Sequence, residues 1–278
     1  MPRIACLQTR PRATYEEAIA ELRPLAEQAV HGGAQLLCLP EYCGGLVSDG
    51  PLFRPPATIE GQHPVLEFLQ KFAAESGIWI LVGSIAITAE NGLILNRTYV
   101  LDSAGDIVAR YDKIHLFDIQ LSSSVRFQES AVVSPGNRAV VVSTPFGRVG
   151  LSICYDLRFP QLYRGLAQEG ADILAVPAAF TRVTGQAHWH VLNRCRAIEN
   201  GAYVVAPGAI GNVPGGGECF GHSLIVDPWG VVLADGGDRS GVVFAEIDTD
   251  LVVQTRRKIS SLSRGRNFSI FQERQGSA

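Results

Sequence analysis

Hydrophobic positions change period repeatedly along the chain, and each change marks an element boundary. "RIACLQ" (3–8) is a short, nearly continuous apolar run and predicts a buried strand. From 14 to 31 the spacing becomes helical, with Tyr15, Ala18, Ile19, Leu22, Leu25, Ala26, Ala29 and Val30 sharing one side. Thr14 and Glu17 form a capping-box pattern at its start, and Gly32-Gly33 stops it. "AQLLCLP" (34–40) predicts a second buried strand. Pro64 opens a helix carrying Val65, Leu66, Phe68, Leu69 and Phe72 and ending at Gly77, and "IWILVGSIAI" (78–87) follows as a long strand.

Beyond residue 95 the pattern turns to alternation. "NRTYVLDSAGDIVARYDK" (96–113) has two alternating runs about Ser103-Ala104-Gly105, and "AVVVSTPFGRVGLSIC" (139–154) repeats the idea about Pro145-Phe146-Gly147. "QLYRGLAQEGADILAVPAAF" reads as helix, glycine stop and strand. A helix over 186–200 leads into "AYVVAPGAI", "GHSLIVDPWGVVLADGG" is another hairpin, and "GVVFAEID" precedes a short helix and an irregular tail. No linker, low-complexity stretch or internal repeat divides the sequence, so a single domain over 1–278 is expected. Strand–helix units mixed with hairpins predict an α/β fold with large mixed sheets faced by helices. "GNVPGGG" (211–217) opens no helix after a strand, which excludes a dinucleotide fingerprint.

Composition narrows the functional classes. The chain is 46% hydrophobic and 18% charged with a net charge of −3, so it lacks the basic surface that nucleic acid requires. No apolar run approaches the roughly 20 residues of a membrane span. "MPRIACLQTR" lacks the apolar stretch of a signal peptide, and a cytoplasmic location is expected. Six cysteines (Cys6, Cys38, Cys43, Cys154, Cys195, Cys219) are scattered without a CxxC pair, which argues against a zinc site and a disulfide framework.

Three charged or nucleophilic residues stand where apolar runs end. Glu41 follows "LLCLP", Lys113 ends a hairpin arm, and Cys154 ends "VGLSIC". Each has a structural alternative: Glu41 as a turn cap, Lys113 as a partner of Asp112, Cys154 as one more buried thiol. Together they make coherent chemistry. A thiol with an ordinary pKa of about 8.5 needs a base to become a good nucleophile at neutral pH. A carboxylate can take the thiol proton and pass it to a leaving amine. An ammonium group and the backbone N–H after the nucleophile, that of Tyr155, can hold the oxyanion.

Here the sequence resembles the nitrilase superfamily of carbon–nitrogen hydrolases. The resemblance rests on "LPEY" (39–42), "RYDKIHLFD" (110–118), "FQES" (127–130) and "GLSICYDLRFP" (150–160), and continues through "GQAHWHVLNRCRAIENGAYVVAP" (185–207) and "GHSLIVDPWG" (221–230). It implies a four-layer αββα sandwich. It also implies Cys154 as nucleophile, Glu41 as general base, Lys113 as the oxyanion- and amine-contacting cation, and Glu129 as a second carboxylate holding the site in register. No metal or organic cofactor is implied. The implied partners are a small-molecule amide and a second copy of the chain in a homodimer or larger homo-oligomer, with the tail from about 255 to 278 contributing to the contact.

The implied reaction is hydrolysis of a linear amide to an acid and ammonia through a cysteine thioester. "TGQAHWHVLNRCRAIE" and "GHSLIVDPWG" are most similar to amidases acting on deaminated glutathione, with the omega-amidases acting on α-ketoglutaramate as the alternative and a catalytically silent scaffold as a different class. Both substrates are carboxylates, so a pocket arginine is expected, with Arg158 and Arg182 as candidates and His188 and Trp189 as pocket wall. His188 and His190 are two apart on a helix and cannot chelate one ion together. His115 suggests a Cys–His hydrolase, but no local signature of that class accompanies it.

Overall fold

The computed structural model describes residues 1–120 and 126–272; the last part of the tail expected at a dimer contact, 273–278, lies outside the described residues. Among the described residues thirteen strands make the two large sheets, of which the first is β13-β1-β2-β4-β5-β6. In chain order these are β1 (Arg3–Gln8), β2 (Leu36–Cys38), β4 (Trp79–Thr88), β5 (Ile94–Leu101), β6 (Ile107–Asp112) and β13 (Gly241–Glu246). A two-residue strand, β3 (Ala57–Thr58), pairs beside the far end of β4. The second sheet runs β7 (Val141–Thr144), β8 (Gly147–Gly150), β9 (Ile173–Ala175), β10 (Tyr203–Ala206), β11 (Leu224–Val226) and β12 (Val232–Asp235). Each sheet has a parallel centre, β1-β2-β4 and β8-β9-β10, flanked by antiparallel pairs.

Strand periodicity explains why the sheets are buried on both faces. In the first sheet Ile4, Cys6, Leu36, Cys38, Leu81, Val100 and Tyr111 pack with Val149, Ile173 and other residues of the second sheet. Their sequence neighbours Ala5, Leu7, Leu37, Ile80, Val82, Tyr99 and Leu101 face the other way, onto α1 (Tyr15–His31) and α2 (Pro64–Ser76). A one-residue slip would exchange the two faces, so burial pins the register. On the outer face of the second sheet lie α3 (Pro160–Gln168) and α4 (Arg182–Asn200); Leu166 of α3 closes directly over Gly150. The result is the expected four-layer αββα sandwich. A last helix, α5 (Thr249–Lys258), follows β13.

Two local expectations are revised, and one expected loop takes a definite form. The strand expected to reach Cys154 is paired only as far as Gly150: the backbone is still extended at Ile153, but the Ile153 N–H bonds the Asp156 carboxylate at 2.9 Å instead of a ladder partner, and the chain turns at Cys154. Helix α4 begins at Arg182 rather than 186. The glycine run at 211–217 closes a hairpin between strands 210–212 and 218–220, where Gly215, Gly216 and Gly217 all take positive φ.

Candidate active site

The two sheets bring four separate chain segments to one buried point. Glu41 lies three residues past the end of β2, where the chain passes so close to Gly83 of β4 that any side chain there would overlap the Leu39 and Pro40 carbonyls. Tyr42 follows in left-handed conformation (φ +53°), its N–H held by Ser84 Oγ at 2.9 Å. Lys113 follows β6, with its N–H bonded to Asn96 O across the hairpin at 3.0 Å. Glu129 opens a short 3-10 turn. Cys154 starts another, with φ +46° and its N–H bonded to Pro177 O at 2.9 Å. Left-handed conformations of non-glycine residues cost roughly 1–3 kcal/mol and gather at functional sites. Two of them here flank one cleft.

Below Cys154 the anchor is Asp156, fully buried. Its carboxylate accepts the Tyr111 hydroxyl at 2.6 Å, the Ile153 N–H at 2.9 Å and the His115 N–H at 3.0 Å, and contacts His115 Nδ1 at 2.7 Å. These bonds tie the nucleophile's turn to β6 of the opposite sheet. His115 is thereby committed to Asp156 and stacks on Phe159, with ring centroids 3.6 Å apart, so it does not serve as the partner of a Cys–His pair.

The polar groups are organised around Lys113. Its Nζ lies 2.9 Å from Glu41 Oε1 and 2.8 Å from Glu129 Oε2. Asn96 Nδ2 donates to Glu41 Oε1 at 2.9 Å and to Glu129 Oε1 at 3.3 Å. Glu41 Oε2 accepts the Ala179 N–H at 2.8 Å, and Glu129 accepts the Phe117 N–H at 2.6 Å and the Tyr42 hydroxyl at 3.2 Å. Two buried carboxylates face a single ammonium, and these neutral donors supply the compensation that burial of the second requires. Burial works against the Lys113 charge, but Glu129 and Glu41 outweigh it and hold its pKa well above that of an ordinary lysine. Burial pushes the Cys154 thiol well up, and the negative charge of the Glu41 carboxylate in the same cleft pushes it further against the pull of Lys113. The resting sulfur is a thiol with a base beside it.

Glu41, Lys113, Glu129 and Cys154 line one cleft of about 390 Å3 with Tyr42, Phe117, Tyr155, Phe180, Thr181 and Thr184. A thiol, a base, a fixed cation and backbone donors in a largely apolar cleft can carry acyl transfer.

The sequence model of the carbon–nitrogen hydrolases matches residues 3–257. The chain belongs to the carbon–nitrogen hydrolase family. It is 40% identical to the deaminated glutathione amidase of Synechocystis sp. over 93% of this chain and 96% of that one. It is 34% identical to omega-amidase NIT2 of Xenopus tropicalis, covering 92% of each. Among solved structures it superposes on the C. elegans NitFhit protein with a TM-score of 0.86 and 33% identity, covering 95% of this chain and 65% of that longer one. The family match and these amidase relatives make it an amide-hydrolysing enzyme.

In this carbon–nitrogen hydrolase the four residues suggested for substrate contact fall in different places. Arg182 lines an adjoining groove and pairs with Glu218 at 3.0 Å. Arg158 lies over the Phe180 ring at 5.3 Å, with its guanidinium 3.3 Å from the exposed His188. Trp189 is fully buried, donates to His222 O at 2.7 Å and packs on Phe180, so it backs the cleft wall rather than forming it. Asn96, Tyr42 and Asp156 were not singled out from sequence. The signal for Asn96 was available: it sits opposite Lys113 once the 96–113 hairpin is put in register.

Proposed function

We propose that this enzyme is an amidase in which Cys154 is the nucleophile, Glu41 the general base, Lys113 the cation at the oxyanion and leaving amine, and Glu129 the carboxylate that fixes Lys113. The observation carrying this reading is Lys113 Nζ held between Glu41 and Glu129 at 2.9 and 2.8 Å in the same cleft as the buried Cys154 thiol. Glu41 takes the Cys154 proton as sulfur attacks the carbonyl carbon. Lys113 and the Tyr155 N–H receive the oxyanion. Glu41 returns the proton to the leaving nitrogen, which departs as ammonia from a primary amide or as an amine from a substituted one. Glu41 then deprotonates water, which cleaves the thioester to the acid and restores the thiol.

The favoured substrate is a deaminated glutathione-like carboxylate. The cleft shares Leu46, Phe53, Ala179 and Thr181 with a second groove of about 750 Å3, so an acyl compound with a long polar tail finds room that α-ketoglutaramate does not need. Arg182 at that groove is the cation proposed for the distal carboxylate. Exposed Val183, Val191 and Ile198 on α4, near the exposed Trp229, mark the face proposed for homodimer contact. The test compares deaminated glutathione, α-ketoglutaramate and a simple nitrile with wild type and Cys154→Ala. Wild type is expected to prefer deaminated glutathione by about a hundredfold in kcat/KM, roughly 2.7 kcal/mol. Cys154→Ala is expected to lose turnover by at least about 10^4-fold while keeping its unfolding midpoint. Substantial turnover by Cys154→Ala would refute the nucleophile, and a reversed preference would favour the omega-amidase reading.

A further inference from the structure

We propose that His190, His222 and Asp235 form a binding site for one zinc-class divalent cation, outside the cleft that carries amide hydrolysis. The three side chains come from three elements: His190 from α4, His222 from the loop before β11, and Asp235 from the end of β12. His190 Nε2 lies 2.9 Å from Asp235 Oδ2, and His222 Nδ1 lies 3.2 Å from that same oxygen and 2.9 Å from Oδ1. One donor atom from each residue falls within 4.8 Å of the other two. A tetrahedral ion with bonds of about 2.0–2.2 Å to nitrogen and oxygen needs its ligands a little over 3 Å apart. Each nitrogen–oxygen pair therefore opens slightly to admit the ion, a movement within side-chain reach.

The surroundings hold the set in place. His222 takes left-handed φ (+52°), and its backbone is tied at both ends: its N–H donates to Gly237 O at 2.9 Å and its carbonyl accepts Trp189 Nε1 at 2.7 Å. Gly237 in turn donates its N–H to Asp235 Oδ1 at 2.8 Å, orienting the carboxylate as second-layer donors orient metal ligands. The Phe220 ring stacks on His222 at 4.5 Å and meets His190 edge-on at 6.3 Å, giving one apolar wall. The side chains remain 27–37% exposed, so an ion and a completing water can enter. Two imidazoles and one carboxylate suit zinc, cobalt or nickel better than magnesium or calcium, which favour all-oxygen shells. Each imidazole presents its binding nitrogen unprotonated to the ion, its remaining proton on the other ring nitrogen.

Such an ion links α4 to the loop following the 210–220 hairpin, and that hairpin supplies Val213, Gly216, Gly217, Glu218 and Cys219 to the groove beside the cleft. The site acts as a brace on the groove wall. It borders the apolar face proposed for self-association, so the measurement uses the full chain in its own solution state. Zn2+ is titrated calorimetrically into chelator-treated protein carrying Cys195→Ser, which removes the exposed thiol. One equivalent per chain is expected, with a rise in unfolding temperature, and affinity roughly a hundredfold weaker in His190→Gln and in Asp235→Asn. The Co2+ complex is expected to lack a thiolate charge-transfer band. In the unsubstituted chain Co2+ is expected to broaden the ring signals of His190 and His222 before those of His63 or His115, a readout that needs no variant to fold. Absence of binding below millimolar Zn2+, retention of affinity in both variants, or thiolate ligation of cobalt would each overturn the proposal.

Discussion

Two ion clusters lie on opposite faces of the same hairpin, and they differ in everything but their ingredients. β5 and β6 pair Arg97 with Asp112, and the next position pairs Asn96 with Lys113. Alternation sends Asn96 and Lys113 toward the second sheet, where both are almost fully buried between Glu41 and Glu129. It sends Arg97 and Asp112 to the other face, where Glu60 joins Arg97 at 3.1 Å and Arg110 at 2.7 Å with 19–45% of each side chain exposed. The outer cluster has a cation for each carboxylate, two arginines against Glu60 and Asp112. The inner one sets two carboxylates against one lysine and completes the shell with Asn96, Tyr42 and two backbone N–H groups. The inner cluster is almost fully buried, so its charges are screened far less and act more strongly on whatever enters the cleft. Solvent screens the outer one, which leaves it a modest clasp on the hairpin.

The largest difference is expected on removing the shared cation of the inner cluster. Lys113→Met leaves Glu41 and Glu129 buried without their countercharge, at a cost of about 3–5 kcal/mol in urea unfolding at neutral pH. Turnover is expected to fall below detection. A loss of stability under about 1 kcal/mol would mean that the inner cluster is as screened as the outer. Glu129→Gln is the gentler probe, since its amide oxygen in the Oε2 position can still accept the Phe117 N–H and Lys113 Nζ while its NH2 donates to the Tyr42 hydroxyl oxygen. It is expected to lower kcat by about 10^2–10^3-fold through loss of the carboxylate charge that holds Lys113 in place, with KM little changed. An unchanged kcat would reduce Glu129 to a packing role.

The contrast between the clusters also explains what the sequence discloses. The positions 41, 113 and 154 are visible because apolar strands end abruptly at them, and periodicity reports strand ends well. Asn96 escapes because it stands beside Arg97 and Thr98 in "ILNRTYV", where nothing in the spacing singles out one polar residue, and its meaning appears only when it is set opposite Lys113. Asp156 escapes for a related reason: its three backbone and side-chain donors come from residues 111, 115 and 153, and no local spacing announces that convergence. The apolar run before Cys154 suggested a strand to its end, but a buried carboxylate two residues beyond outcompetes the ladder. The rule that His188 and His190 cannot chelate together holds on α4, where they point apart. His190 instead meets partners 32 and 45 residues further on, a pairing set by sheet topology alone.

The smallest effects belong to the outer cluster. Arg97→Met is expected to cost about 1 kcal/mol of stability and to leave kcat unchanged, because Glu60 keeps Arg110 and the cleft lies on the other face. Glu60→Gln gives the pH signature. Its carboxyl is held down at about 2, first by hydrogen bonds from Arg110, then by Tyr99 and Arg97, against an ordinary value of 4.5. Above pH 4.5 the ionised carboxylate is favoured in the fold over the unfolded chain, and this contribution is fully present. As pH falls from 4.5 toward 2 the unfolded chain binds the proton first, so the contribution shrinks and is lost below 2. Unfolding free energies of wild type and Glu60→Gln should therefore differ by under about 1 kcal/mol at pH 6 and converge as pH approaches 2. A gap that stays constant through that range would show that Glu60 acts by shape and hydrogen bonding rather than by charge. A change in turnover at neutral pH would show that the strand between the two clusters transmits what its faces were taken to separate.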